Sequence, residues 1–237
     1  MNTTFSITPL GDSALIIEWE QEISLPVHTL VMQVFHYLQS LDLPYITDLV
    51  PAYASLTVLY SAAMIRQQAP PPAFQWLTEQ LYSMLQQAAA VVPPVRRLQV
   101  PVCYHSSLGP DITDMAHRKN ISVADIVNRH TARTYTVYML GFLPGFPYMG
   151  KVDDVLATPR LKQPRLQVAA GSVGIAGEQT GIYPLASPGG WNIIGRTPLR
   201  LFNAALDESC YFRPGDQVQF MPVSLQEFNQ INGTEAR

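Results

Sequence analysis

The chain is short of charge. Asp, Glu, Lys and Arg make up 14% of its 237 residues, where about 25% is usual for a soluble domain. Part of its surface is therefore expected to lie against another protein. The formal net charge of -3 gives no basic footprint for a phosphate backbone, which argues against DNA or RNA as partners. Cysteine is equally scarce: Cys103 and Cys210 form no CxxC pair. Free thiols are expected, with a single disulfide as the alternative. The N-terminal MNTTFSITPLGDSAL lacks a basic region followed by an apolar run. No apolar stretch approaches the roughly 20 residues that span a bilayer. The expectation is a cytoplasmic protein without membrane contact.

Catalytic signatures are missing too. His28, His36, His105, His117 and His130 show no HExxH or paired spacing, so no metal site is expected. Four of them read as surface or half-buried residues. His105, just after a strand, is kept as a site candidate. There is no GxSxG elbow and no GxGxxG loop. Gly145 to Lys151 matches a phosphate loop in spacing, but Val152 stands where Ser or Thr would hold magnesium. Pro147 lacks an amide donor, and Phe146, Tyr148 and Met149 crowd the cradle, so the segment is rejected as a nucleotide site.

What remains divides into two halves, 1–92 and 93–237. The first reads as α+β. FSITPL and ALIIEWE are strands about a Gly11-Asp12 turn, and Leu30, Val31, Val34, Phe35, Leu38 and Leu41 recur at helical spacing. Ser24 is a candidate N-cap, with Pro26 in the first turn. Two further strands, near 46–50 and 56–60, precede a second helix after Pro70-Pro71-Pro72. An antiparallel sheet with helices on one face follows. The prolines near Val91–Arg96 suit a linker. Beyond it, LQVPVCY and ARTYTVYMLGF read as strands around two short helices, Pro110–Lys119 and Val123–His130, the second capped by Ser122.

From Gly141 the pattern changes. Eleven of the 14 glycines and eight of the 20 prolines fall between Gly141 and Gly215. They separate short strand candidates: RLQVAA, VGIAG, NIIG, LRLFN and QVQFMPV. That is the signature of an all-β, closed or nearly closed barrel. Between Gly171 and Gly195 the only charged residue is Glu178. Gln179, Thr180, Tyr183, Ser187, Trp191 and Asn192 supply neutral donors and acceptors there, which suits a cleft for an amide-like ligand. Arg196 could add a two-pronged anion contact. The competing reading is that these glycines only turn corners while Tyr183 and Trp191 fill the core. Phe142, Phe146 and Tyr148 sit in a loop stiffened by Pro144 and Pro147, fit either for a pocket or partner-binding wall or for closing the barrel.

VYMLGFLPGFPYMG, ATPR, AAGSVGIAGEQTGIYPLASPGGWNIIGRTPLRLF and RPGDQVQF together resemble the KipI / allophanate hydrolase subunit 1 family, which includes the B-type subunit of bacterial ATP-dependent 5-oxoprolinase. GDSALIIEW and VPAYASLTVLY fit as well, so the resemblance spans nearly the whole chain. It implies a small α+β domain followed by a cyclophilin-like β-barrel. It also implies direct association with a KipA-like C-type subunit, and a functional link to an A-type subunit of the lactam-utilisation kind. Together these would open 5-oxo-L-proline to L-glutamate with ATP as co-substrate, the chain being inactive alone. On that reading Gln179, Thr180 and Tyr183 line the cleft, Arg196 anchors an anion, and Gly189 and Gly190 let backbone approach the ligand. Phe142, Phe146, Tyr148 and Trp191 form walls or the contact with the KipA-like subunit. The rival within the family is an inhibitor of a sensor histidine kinase. A prolyl isomerase is suggested by the barrel alone, and fold does not fix function.

Overall fold

Strict alternation decides the first half. A computed structural model describes residues 4–68, 72–88, 92 and 94–235 and divides the chain into two compact units, Met1–Pro94 and Val95–Arg237. Pro70 and Pro71 of the proline run, and Val91 and Pro93 of the expected linker, lie outside the described residues. The first unit runs β1 (Ser6–Pro9), β2 (Ala14–Glu18), α1 (Leu25–Ser40), β3 (Ile46–Pro51), β4 (Ser55–Tyr60), α2 (Ala62–Gln68) and α3 (Ala73–Ala88). Its four strands form an antiparallel sheet in the order β1-β2-β4-β3. Leu15, Ile17, Leu56 and Val58 point to one face and are sealed by Val31, Val34 and Leu38 of α1 and Leu77 and Leu81 of α3. Ser24 does stand at the N-cap of α1 with Pro26 in the first turn, but its side chain makes no cap bond. The short helix α2 has no periodic apolar face long enough to announce it in the sequence.

The second unit runs β5 (Arg97–Val102), α4 (Ile112–Lys119), α5 (Val123–Thr131), β6 (Thr134–Leu140), β7 (Pro147–Gly150), β8 (Arg165–Val168), β9 (Ser172–Ala176), β10 (Gln179–Ile182), β11 (Ser187–Gly189), β12 (Asn192–Arg196), β13 (Gln217–Pro222) and α6 (Leu225–Glu235). Seven strands form one sheet, ordered β12-β9-β10-β7-β6-β13-β5. All neighbours are antiparallel except β13 and β5. The sheet curls until its two edges meet. Cys103, one residue past β5, exchanges both backbone hydrogen bonds with Arg196 at the end of β12, at 2.9 and 3.0 Å. A side chain on Gly195 would put its Cβ 2.9 Å from the Cys103 carbonyl oxygen, so glycine permits this seam.

The unit is not purely β. Ile112 and Met115 of α4 and Ile126 of α5 join the barrel interior, and Ser122 caps α5 in a reciprocal capping box with Asp125. Helix α6 has no counterpart among the sequence-based expectations. LRLFN, expected as a strand, is irregular, with Phe202 joined to Cys210 by an isolated bridge. Both cysteines are free.

One polar chain crosses the barrel interior. His130, expected as a surface or half-buried residue, is wholly buried at the end of α5 and stacks on Phe220 with ring centroids 4.5 Å apart. Thr180 donates to the Gly174 carbonyl (3.1 Å), so its oxygen accepts from His130 Nε2 (3.0 Å). Nδ1 must then accept from the Tyr104 hydroxyl, 2.7 Å away. The imidazole is held as one neutral tautomer with both nitrogens satisfied. Burial pushes its pKa down to about 3. His28 in the first unit is likewise buried, and burial takes it to about 4.

These buried imidazoles make stability depend on pH. Both take up a proton near 6.5 when unfolded but not when folded, so below that pH the unfolded state holds more protons. Stability is fully present above pH 6.5. It is lost as pH falls toward the folded values, by about 1.4 kcal/mol per pH unit for each group; urea titrations from pH 8 to pH 4 measure it. Tyr104→Phe leaves Nδ1 without a donor inside the barrel and costs about 1–3 kcal/mol at pH 8 in the same assay.

Candidate functional site on the outer barrel face

The outer wall of the barrel is built by parity. On β9 and β10, Val173, Ile175, Thr180 and Ile182 face inward, so Gly174, Gln179 and Gly181 face outward. In register, Tyr148, Gly181, Gly174 and Ile193 stand side by side across β7, β10, β9 and β12. The two bare positions make a floor for aromatic rings. A Cβ on Gly181 would meet the Phe146 ring at 2.9 Å, and one on Gly174 would meet the Cβ of Trp191 at 3.0 Å. Phe146 and Trp191 lie edge to face with centroids 5.3 Å apart, Tyr183 stands edge-on to Phe146 at 5.2 Å, and Tyr148 closes against Phe146 and Trp191 at 4.9 and 5.9 Å. With Val168, Ala176 and Ile193 they form a core outside the barrel, separate from the one within it.

Tyr183 is fixed from its far end. Its hydroxyl oxygen accepts from the Trp191 amide and lies under Gly189, where a Cβ would come within 2.3 Å of it. Gly189 pairs with Arg165 in the small β8–β11 sheet that borders the cluster. Burial raises the Tyr183 and Tyr148 pKa values; Arg160 opposes the rise at both, and Arg165 at Tyr183. Arg165 forms an ion pair with the buried Asp111 at the start of α4. The other oxygen of Asp111 accepts from the Ile193 amide at 2.6 Å, while its own amide donates to the Ile193 carbonyl at 3.0 Å. A carboxylate thus ties α4, β8 and β12 together.

The expected site residues are not one constellation. Tyr183, Trp191 and Phe146 come together but are buried, with Tyr148 half-buried beside them. Gln179 is half-exposed on the outer face. Thr180 is turned into the barrel with its hydroxyl engaged, so it cannot line an outer cleft. Ser187 sits on β11 with its hydroxyl donated to the Pro188 carbonyl. Gly189 receives the Tyr183 ring, and Gly190 makes only ordinary contacts, the nearest to Pro164 at 3.6 Å. Arg196 belongs to the barrel seam, its Nε donating to the Ala170 carbonyl at 2.7 Å. His105 is exposed and turned to the Ser107 hydroxyl at 2.7 Å. Phe142 is 62% exposed, at φ +67°, with its ring edge-on to Phe146 and Tyr183.

Three residues of this face escaped sequence reasoning: Asp111, Arg160 and Arg165. A signal for the arginines existed. Arg160, Lys162 and Arg165 fall within six residues, and no acidic residue occurs from Val155 to Gly177. Among the described residues, no three His, Cys, Asp or Glu side chains converge as a metal site would need, and no helix is long and apolar enough to cross a membrane.

Comparison with known proteins places this architecture. The model of the family "Carboxyltransferase domain, subdomain C and D" matches residues 5–212. The B subunit of the 5-oxoprolinase of Bacillus subtilis (strain 168) is 36% identical over 233 residues, 97% of each chain. That of Escherichia coli O157:H7 is 38% identical over 213 residues, 90% of this chain and 94% of its own length. Among solved structures, TTHA0988 superposes with a TM-score of 0.75 at 30% identity, over 89% of this chain but only 40% of its own. The chain belongs to the carboxyltransferase domain family, subdomains C and D, and the relatives it matches over nearly their whole length are named as B subunits of 5-oxoprolinase.

Proposed function

We propose that the chain is the B-type subunit of a multi-subunit ATP-dependent 5-oxoprolinase, acting with a KipA-like C-type subunit and an A-type subunit to open 5-oxo-L-proline to L-glutamate. The similarity to the Bacillus subtilis B subunit over 97% of both chains carries this reading. The reaction makes large demands. 5-Oxo-L-proline is a lactam, and amide resonance leaves its carbonyl carbon a poor electrophile. ATP, consumed to ADP and inorganic phosphate, would supply activation of the lactam oxygen. Water adds to the carbonyl carbon, the ring C–N bond breaks and the leaving nitrogen takes up a proton, giving the side-chain carboxylate and free amine of L-glutamate.

The segment with phosphate-loop spacing does not fit the nucleotide. Gly145 to Lys151, the segment with phosphate-loop spacing, enters strand β7, whose backbone is engaged on both sides by β6 and β10. No step through ATP is assigned to this polypeptide. Its contribution is a substrate-facing wall that another polypeptide completes. The outer face is suited to that: Phe142, Leu166 and Leu185, 62%, 93% and 39% exposed, sit on the loop before β7, on β8 and on the turn between β10 and β11, the elements around the aromatic cluster. Exposed apolar groups bordering a packed core are what a protein partner covers. In TTHA0988 the matching region is two fifths of a longer polypeptide, in keeping with a barrel that works joined to further protein.

Co-expressed with the A-type and C-type subunits, the chain is expected to support glutamate release from 5-oxo-L-proline with concurrent ATP hydrolysis, and its omission to bring release to background. Release at the full rate without it would end the proposal. Phe142→Ala is expected to leave the thermal midpoint of the chain unchanged or slightly raised, because alanine is no worse than phenylalanine at positive φ. The same substitution is expected to weaken capture of the KipA-like subunit at least about tenfold, as for an aromatic anchor. Size-exclusion titration of the two purified chains reads this.

A further inference from the structure

Arg165 is held but not used up. Its Nη2 is taken by one oxygen of Asp111, whose other oxygen accepts from the Ile193 amide. Its Nη1 is buried and has no hydrogen-bond partner among the described residues. Buried donors in native proteins are nearly always paired, so a donor kept bare by a rigid ion pair calls for an acceptor from outside the chain. Arg160 adds a second guanidinium, exposed and engaged in no ion pair or hydrogen bond among the described residues. Arg165 is tied to Tyr183 through its strand partner Gly189, which rests on the phenol oxygen, and the charge of Arg160 acts on the same phenol. Since that oxygen accepts from the Trp191 amide, its own O–H remains able to donate.

From this juxtaposition we propose that Arg165 and Arg160, beside the hydroxyl of Tyr183, form a carboxylate-binding site, and that the ligand is a small ring-bearing monocarboxylate. The naming of 5-oxo-L-proline as that ligand rests on the function proposed above; the anion site itself does not. Asp111 is a positioning residue, because it orients the guanidinium and touches no ligand. Two guanidiniums from one short acid-free stretch, one with a fork direction fixed by the acid behind it, suit the planar two-oxygen carboxylate. The half-buried Tyr148 ring and the exposed Phe142 ring supply apolar flanks for the ring carbons. The anion anchor thus moves from Arg196 on the seam to the β8 side of the aromatic cluster.

Two measurements test the site. In the assembled complex, Arg160→Gln and Arg165→Lys are each expected to raise the KM for 5-oxo-L-proline at least about tenfold with kcat little changed, the signature of lost ground-state binding. Arg160→Gln removes an exposed side chain without a partner, and Arg165→Lys keeps a cation for Asp111 while deleting the second arm of the fork, so neither leaves a buried charge alone. In the second, the isolated full-length chain is titrated with cyclopentanecarboxylate and with 2-pyrrolidinone, following the Trp191 indole N–H by NMR. The carboxylate is expected to shift it, Arg160→Gln to abolish that shift, and the uncharged lactam to have little effect. Active complexes with unchanged KM in both variants would overturn the anion site and leave the oxoprolinase reading intact. A complex without turnover, in which the carboxylate still shifts Trp191 in an Arg160-dependent way, would overturn the oxoprolinase reading and leave the site. A carboxylate response no larger than that of 2-pyrrolidinone, or a larger one to inorganic phosphate, would count against the carboxylate assignment.

Discussion

The barrel wall formed by β9 and β10 is packed on both sides, and most other features of the second unit answer to that constraint. Inside it, Val173, Ile175 and Ile182 meet the residues of the barrel core. Outside it, Phe146, Tyr183 and Trp191 build a second core on the same strands. A four- or five-residue strand with full side chains on each face could not bring aromatic rings this close to its backbone. Gly174 and Gly181 solve the problem by leaving one face bare: the Phe146 ring occupies the space where a Cβ on Gly181 would stand, and the Trp191 Cβ and Ile193 side chain close over Gly174. The entropy that glycine loses on folding, roughly 0.5–1 kcal/mol each relative to alanine, is offset by burial of aromatic area at about 25 cal/mol per Å².

That packing also decides which polar groups remain for chemistry. The segment from Gly171 to Gly195 is rich in neutral donors and acceptors, but the fold consumes most of them. Asn192 is wholly buried, giving two hydrogen bonds to the Pro159 and Ile175 carbonyls and taking one from Arg118. Thr180 completes the His130 chain. Each would cost about 1–3 kcal/mol if left without its partner, so these two are structural polar groups. The groups with unspent capacity are the O–H of Tyr183, whose oxygen accepts from the Trp191 amide, and the guanidiniums of the loop and strand after Leu156.

This explains why the fold was more legible than the site. Period-two and helical patterns are local, and Leu15, Ile17, Leu56, Val58, Leu77 and Leu81 report their faces without knowledge of their neighbours. The capping box of Ser122 and Asp125 is local in the same way. Inward or outward placement on β10 is not local in so short a strand. Gln179, Thr180 and Tyr183 look alike as polar residues in a glycine-rich run, and only the pairing of β10 with β7 and β9 sends Thr180 inside and Gln179 outside. The seam was hidden for a related reason: the backbone bonds of Arg196 go to Cys103, far earlier in the chain, and its Nε to the Ala170 carbonyl. Asp111 and Arg165 are 54 residues apart, and no spacing rule joins them. Helix α2 and the irregular path of LRLFN were missed because short segments carry too few residues for a period to stand out.

Phe142 brings the interior and the surface arguments together. A non-glycine residue in the left-handed region costs of order 1–3 kcal/mol, and most of its ring area stays exposed, so its own folding energetics do not account for it. Its backbone is over-determined by a tight loop in which the Leu143 amide bonds to Gly141, Phe146 to Leu143 and Gly141 to Phe146. Because Phe146 is in turn pinned on the Gly181 floor, the loop has no freedom to relax, and the ring is held out from the cluster at a fixed angle. A rigid, pre-placed aromatic loses little entropy when a partner covers it. The glycine floor that packs the outer core therefore also stiffens the ridge proposed above as the surface another polypeptide covers.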